Sequence, residues 1–217
     1  MKNERFEIIP LFAIPLYRTH LGPLDPKMKD FIVKAPCERM PAGNGSYTKD
    51  KYFLNSPELA ELKAQIMERV NEFVYEYLDV KDNLTFTMEN SWINRHQHGD
   101  YSPSHWHGSS LISGVYYVQV EENAGDIIFH KDQRHLNLFD PLIEIKFNYE
   151  TTLDQNKMNV YNTNNFGITP TAGTLVLFPS HLAHSVEVNN SNKTRYCIAF
   201  NLFPRGNSGG AINTLTL

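Results

Sequence analysis

The sequence predicts a mainly β fold, a sandwich or barrel braced by one α-helix, and three observations predict it. From about residue 84 the chain breaks into short β-rich runs separated by Gly, Pro, Asn and Asp. One segment before that point carries a clear helical period. With 217 residues and 41% hydrophobic composition, a chain of this size can bury about 70% of its surface, so one core needs no disulfide to hold it.

In chain order, PLFAIPLYRTHL (10–21) supplies a strand or two, and PAGNGS (41–46) a polar Gly-rich loop. Ser56-Pro57-Glu58 sets a capping hydroxyl before a proline at the first helical position. Leu59, Leu62, Ile66, Val70, Phe73, Val74 and Tyr77 then recur at steps of three and four, which predicts an amphipathic helix over 57–79 packed against a sheet. The predicted strands follow: LTFTM (84–88), SLISGVYYVQV (110–120), GDIIFH (125–130), LIEIKFNY (142–149), MNVY (158–161), GTLVLFP (173–179), HSVEV (184–188) and RYCIAFNLF (195–203). The tail GNSGGAINTLTL (206–217) either frays or pairs with a sheet edge. The reading is a single domain over 1–217: N-terminal strands and helix to residue 83, a β core over 84–205, then the tail.

Twenty Lys+Arg stand against 24 Asp+Glu, and a net charge of −4 supplies no cationic field for a nucleic-acid backbone. The charged start MKNERFEIIPLF is not a secretory leader and no run is long enough to span a membrane, so the expected location is cytoplasmic. Cys37 and Cys197, far apart and outside any CxxC, suit a reducing compartment.

Eight of nine histidines fall between positions 96 and 184, less than half of the chain. Neutral imidazoles gathered on β-structure are what a transition-metal site needs, although any one alone reads first as an ordinary surface or hydrogen-bonded histidine. On an extended strand His105 and His107 share a face, with Trp106 opposite. A third ligand must come from a distant strand, and His184, after the apolar run GTLVLFP, offers it. Eleven residues on stands Arg195, sharing a face with Cys197, Ala199 and Asn201. A buried arginine there needs an anionic partner, and a dicarboxylate would be one.

Trp92, Gly99-Asp100-Tyr101, HWHGSSLISGVYYV (105–118), Gly125–Phe129, TAGTLVLFPSHLAH (171–184) and RYCIAFN (195–201), in this order, resemble the Fe(II)/2-oxoglutarate-dependent oxygenases, in particular the family of marine bacteria and phages. The resemblance covers most of the chain. It implies a double-stranded β-helix, or jelly roll, with iron at one mouth and 2-oxoglutarate held deeper by Arg195. Tyr117 reads either as a hydroxyl donor to the cosubstrate carboxylate or as plain core, and Asn201 either as a cosubstrate or substrate contact or as a structural amide. The resemblance further implies hydroxylation of an unactivated C–H bond, with dioxygen consumed and 2-oxoglutarate decarboxylated to succinate. The substrate would be a peptidyl or free amino acid, or another small molecule; a phage-encoded enzyme would work in the host cytoplasm.

One departure stands out. The superfamily supplies His-x-Asp or His-x-Glu, whereas the residue two after His105 is His107. His98 and Asp100 restore a His-x-Asp as alternative ligands, although Gly99, Asp100, Ser102 and Pro103 have turn chemistry. His181 is an alternative to His184. A cupin-like three-histidine enzyme that does not use 2-oxoglutarate and a non-catalytic jelly-roll binding module also remain open. Leu175, Leu177 and the Val115/Val118 strand are expected either to keep water from the site or simply to fill the core.

Overall fold

Alternation along three strands separates two apolar layers. On one face Tyr116, Val118, Leu175, Leu177, Ile198 and Phe200 join Leu62, Ile66, Val70 and Phe73 of the helix in one buried cluster. On the other, Val115, Tyr117, Val176, Phe178 and Cys197 pack with Ile127, Phe129 and Ile168 of a second sheet. The period of two in these sequences is thus the partition between a helix-facing and a sheet-facing surface.

The computed structural model describes residues 13–41, 44–81, 83–131, 156–210 and 212–217. In chain order its elements are β1 Tyr17–His20, α1 Pro26–Val33, β2 Cys37–Arg39, β3 Ser46–Thr48, α2 Ala60–Asn71, β4 Leu84–His96, β5 Ser102–His105, β6 Ile112–Gln119, β7 Ile127–His130, β8 Asn165–Ile168, β9 Thr174–Pro179, β10 His184–Val186, β11 Arg195–Ser208 and β12 Leu215–Thr216. The major sheet runs β1-β9-β6-β11-β4-β3-β2 with β12 beside β11, and the minor sheet runs β5-β10-β7-β8. Every strand pairing in both is antiparallel. The fold is a mainly β jelly roll with helices on the outer face of the major sheet.

The predicted helix is present, but in three pieces: a 3-10 turn at Pro57–Leu59, α2, and a π-helical end over Glu72–Tyr77. Ser56 makes no side-chain capping bond; its carbonyl accepts the Leu59 N–H instead. The widened end places Glu72 where Tyr17 Oη donates to it at 2.9 Å and Arg69 pairs with it at 2.7 Å. Helix α1 was not foreseen. Asp25 caps it by accepting from the Lys27 and Met28 N–H groups, with Pro26 in its first turn.

The MNVY segment is a turn and not a strand, and β8 begins four residues later. Asn159 accepts through its side chain from the Tyr161 and Asn162 N–H groups, and that Asx geometry overrides the β preference of Val and Tyr. The tail pairs with a sheet strand, Asn207 opposite Thr216. The expected strand at 142–149 lies outside the described residues.

Candidate metal centre

Strands β5 and β10 set His105 directly opposite His184, and the ring centroids stand 4.4 Å apart. His107 lies just beyond β5, its backbone N–H donating to the Ser180 carbonyl at 2.9 Å. Its ring is 5.4 Å from that of His105 and 5.2 Å from that of His184. Possible ligand atoms of the three lie within 4.8 Å of one another, and no other such group of three His, Cys, Asp or Glu occurs among the described residues.

Each imidazole is held by its Nδ1. His105 Nδ1 is 2.8 Å from the Pro103 carbonyl, His184 Nδ1 is 3.0 Å from the Leu182 carbonyl, and His107 Nδ1 is 2.6 Å from Asn201 Oδ1. A carbonyl oxygen only accepts, so each Nδ1 carries the proton and each Nε2 keeps a free lone pair. Burial, then the neighbouring His105, pushes the His184 pKa down to about 3; burial also lowers that of His107. Both rings are therefore neutral at neutral pH, as metal ligands must be. Phe178 and Phe129 wall His184 at centroid distances of 4.8 and 6.0 Å, and Trp92 lies 5.8 Å from His107.

The three rings line a cavity of about 470 Å³ that continues between the sheets to Tyr117, Cys197, His96 and Arg195. Arg195 is 1% exposed. Its Nη1 donates to the Ala124 and Gly125 carbonyls, both at 2.9 Å, and its Nη2 to His96 Nδ1 at 3.0 Å, while Nε is buried without a partner among the described residues. Gly125 turns with φ +87, and a Cβ there would come within 2.5 Å of the Glu187 carbonyl, so the residue supplying one of these acceptors has to be glycine. Tyr117 is 2% exposed, and burial raises its pKa, which keeps the phenol protonated.

Asn201 takes the structural part that its sequence position left open. Its Oδ1 serves His107 and Ser113 and one N–H of its Nδ2 goes to Asn90, so the amide steadies His107. The alternative ligands sit apart from the cluster. Asp100 closes a turn by accepting the Gln97 N–H at 2.8 Å, and His98 meets the Ser191 carbonyl. His181 is exposed in the turn before β10. His130 bonds Asn165 and Ser185 and belongs to a cross-strand network. Of the expected water-excluding residues only Val115 lines the cavity; Leu175, Leu177 and Val118 face the helix, and Phe178, Ile127 and Val186 take their place. Sequence reasoning gave no role to His96, Ser102 or Ser113.

Residues 90–201 match the model of a family described as "Putative 2OG-Fe(II) oxygenase". The chain belongs to this family. Fe(II) and 2-oxoglutarate are accordingly the cofactor and cosubstrate of this oxygenase. No curated protein matches the chain. Among solved structures, the fold is similar to a prolyl-4-hydroxylase from Pseudomonas putida, at 11% identity over 89% of this chain and 95% of that one, with a TM-score of 0.57. It is also similar to the carbocyclase SnoK of nogalamycin biosynthesis, at 12% identity over 89% and 82%, TM-score 0.58. HygX from Streptomyces hygroscopicus, solved with nickel, 2-oxoglutarate and hygromycin B, aligns at 11% identity over 88% and 83%, TM-score 0.57. At these identities the likeness is one of fold. No helix among the described residues of the oxygenase is long and apolar enough to cross a membrane.

Proposed function

We propose that the oxygenase binds Fe(II) through His105, His107 and His184 and hydroxylates an unactivated C–H bond while 2-oxoglutarate is decarboxylated to succinate. The observation that carries this reading is the set of three Nδ1–H groups held by oxygen acceptors, which turns three Nε2 lone pairs toward one place. The donor set fits a ferrous ion. Three neutral ligands leave its double charge for the dianionic cosubstrate to balance, which compensates for the missing carboxylate.

When bound, iron and 2-oxoglutarate supply the oxidising power that a C–H bond demands. The chain supplies geometry. The Pro103 and Leu182 carbonyls and Asn201 fix the imidazole planes. Arg195 would anchor the far carboxylate of the cosubstrate, since two of its five donors, Nε–H and the second N–H of Nη2, have no acceptor among the described residues. Tyr117, protonated at the same depth, adds a hydroxyl. Val115, Ile127, Phe178 and Val186 keep the cavity dry.

Met40, Pro41, Tyr47, Lys51 and Trp92 also line the cavity, and this apolar and aromatic wall with one cation supports a peptidyl or free amino acid as substrate. Fold neighbours named as a prolyl hydroxylase in complex with a peptide fragment, from Trichoplax adhaerens, and as a complex with hygromycin B support peptide and small-molecule substrates alike. A single domain, a cytoplasmic location and the branch found in marine bacteria and phages complete the proposal. Anaerobic addition of 2-oxoglutarate to the Fe(II) protein should produce a visible charge-transfer band, and admission of oxygen should release succinate. Metal binding without that band would favour the three-histidine, cupin-like reading instead.

A further inference from the structure

The guanidinium of Arg195 is aimed by a residue outside the metal cluster. His96, at the end of β4, is 1% exposed and stands opposite Arg195 in the β4–β11 register. Arginine can only donate, so the 3.0 Å contact between Arg195 Nη2 and His96 Nδ1 requires an unprotonated Nδ1. The His96 proton is therefore on Nε2, which donates to Ser102 Oγ at 3.0 Å. With its oxygen accepting from His96, the Ser102 hydroxyl keeps its own proton to donate. Arg195, His96 and Ser102 all line the cavity, with Ser102 carried by the minor sheet and Arg195 by the major one.

The imidazole is closely packed along one edge. Gly45 lies against its edge, where a Cβ would come 3.0 Å from His96 Cδ2 and 3.1 Å from Nε2. The backbone carbonyl of His96 accepts from the buried Asn189 amide at 2.9 Å. An imidazole locked in position and tautomer fixes two things at once: the plane of the guanidinium and the direction in which Ser102 presents its proton.

We infer that His96 and Ser102 form a positioning relay for the cosubstrate, in which His96 orients Arg195 and Ser102 adds a hydroxyl donor from the opposite sheet, so that a far carboxylate is gripped from both sides of the jelly roll. The inference rests on the reading of Arg195 as the cosubstrate anchor. Its consequence is selectivity for the second carboxylate, since the relay touches nothing at the keto-acid end.

The test compares 2-oxoglutarate with 2-oxopentanoate, which has the same five-carbon chain without the far carboxylate. Dissociation constants come from quenching of Trp92 and Trp106, the two tryptophans, in the anaerobic Fe(II) protein, and thermal shifts of metal-free protein give a second readout. His96→Leu and Ser102→Ala should each weaken 2-oxoglutarate about tenfold or more while leaving 2-oxopentanoate within about twofold. His96→Gln, which keeps one acceptor and one donor, should recover most of the loss. Equal weakening of both ligands, or unchanged 2-oxoglutarate affinity in both Ser102→Ala and His96→Leu, overturns the relay alone. A wild-type protein that does not bind 2-oxoglutarate overturns the anchor reading and the relay together.

Discussion

His105 and His184 face each other across adjacent strands of the minor sheet, with ring centroids 4.4 Å apart and both Nδ1 atoms held by the carbonyl two residues earlier in the chain. The local backbone thus orients two of the three imidazoles without help from distant side chains. His107 is different, because its orienting partner, Asn201, lies 94 positions away on β11.

That difference makes Asn201 a sensitive position. Asn201→Ala should lower metal affinity by about 10–100-fold, since the buttress of a ligating imidazole is removed while the imidazole stays. Competition against a fluorescent chelator measures it, and Asn201→Asp, which retains an acceptor, should lose less.

Asp100 should behave as a turn residue. Asp100→Ala removes the acceptor for the Gln97 N–H and should cost on the order of 1 kcal/mol in urea unfolding, with metal stoichiometry unchanged. Loss of metal in this variant would transfer the ligand role to the His98/Asp100 pair.

Neighbouring residues of β9 should separate stability from site geometry. Leu177 is fully buried toward the helix, and Leu177→Ala should cost about 2–5 kcal/mol with metal affinity unchanged. Phe178, one residue on, packs its ring 4.8 Å from His184, and Phe178→Ala should lower both stability and metal affinity.

The metal-free protein should lose stability in mild acid. Burial, and secondarily Arg195, pushes the His96 pKa down to about 3, from an ordinary value of 6.5. The unfolded chain takes up this proton below pH 6.5 and the folded chain does not until about pH 3. The stability tied to the neutral ring is complete above pH 6.5 and drains away as pH falls through that window. Urea midpoints at pH 7.5 and 5 should differ less in His96→Gln, which has no proton to gain, than in the wild type.

Periodicity made the framework legible. The three- and four-residue steps after Ser56 gave the helix, and apolar runs such as GTLVLFP gave the strands, because burial on two faces leaves a continuous apolar signature. Short elements escaped: β2 and β3 are three residues each, too brief for a period to show. The histidine cluster was legible from residue type and order. Its orientation was not, since the acceptors that fix the rings are backbone carbonyls and an amide whose position depends on the β6–β11 register. Alternation alone also could not say which side of β9 faces the cavity, and Leu175 and Leu177 proved to face the helix.

The most direct measurement is a nitrogen-15 spectrum of the histidine side chains as Zn(II), a diamagnetic stand-in for iron, is added. Convergent Nε2 atoms predict that His105, His107 and His184 alone take up one metal per chain through Nε2, each retaining its Nδ1 proton throughout. Metal-induced shifts at His98, coordination through any Nδ1, or a His107 resonance that does not move would contradict the account.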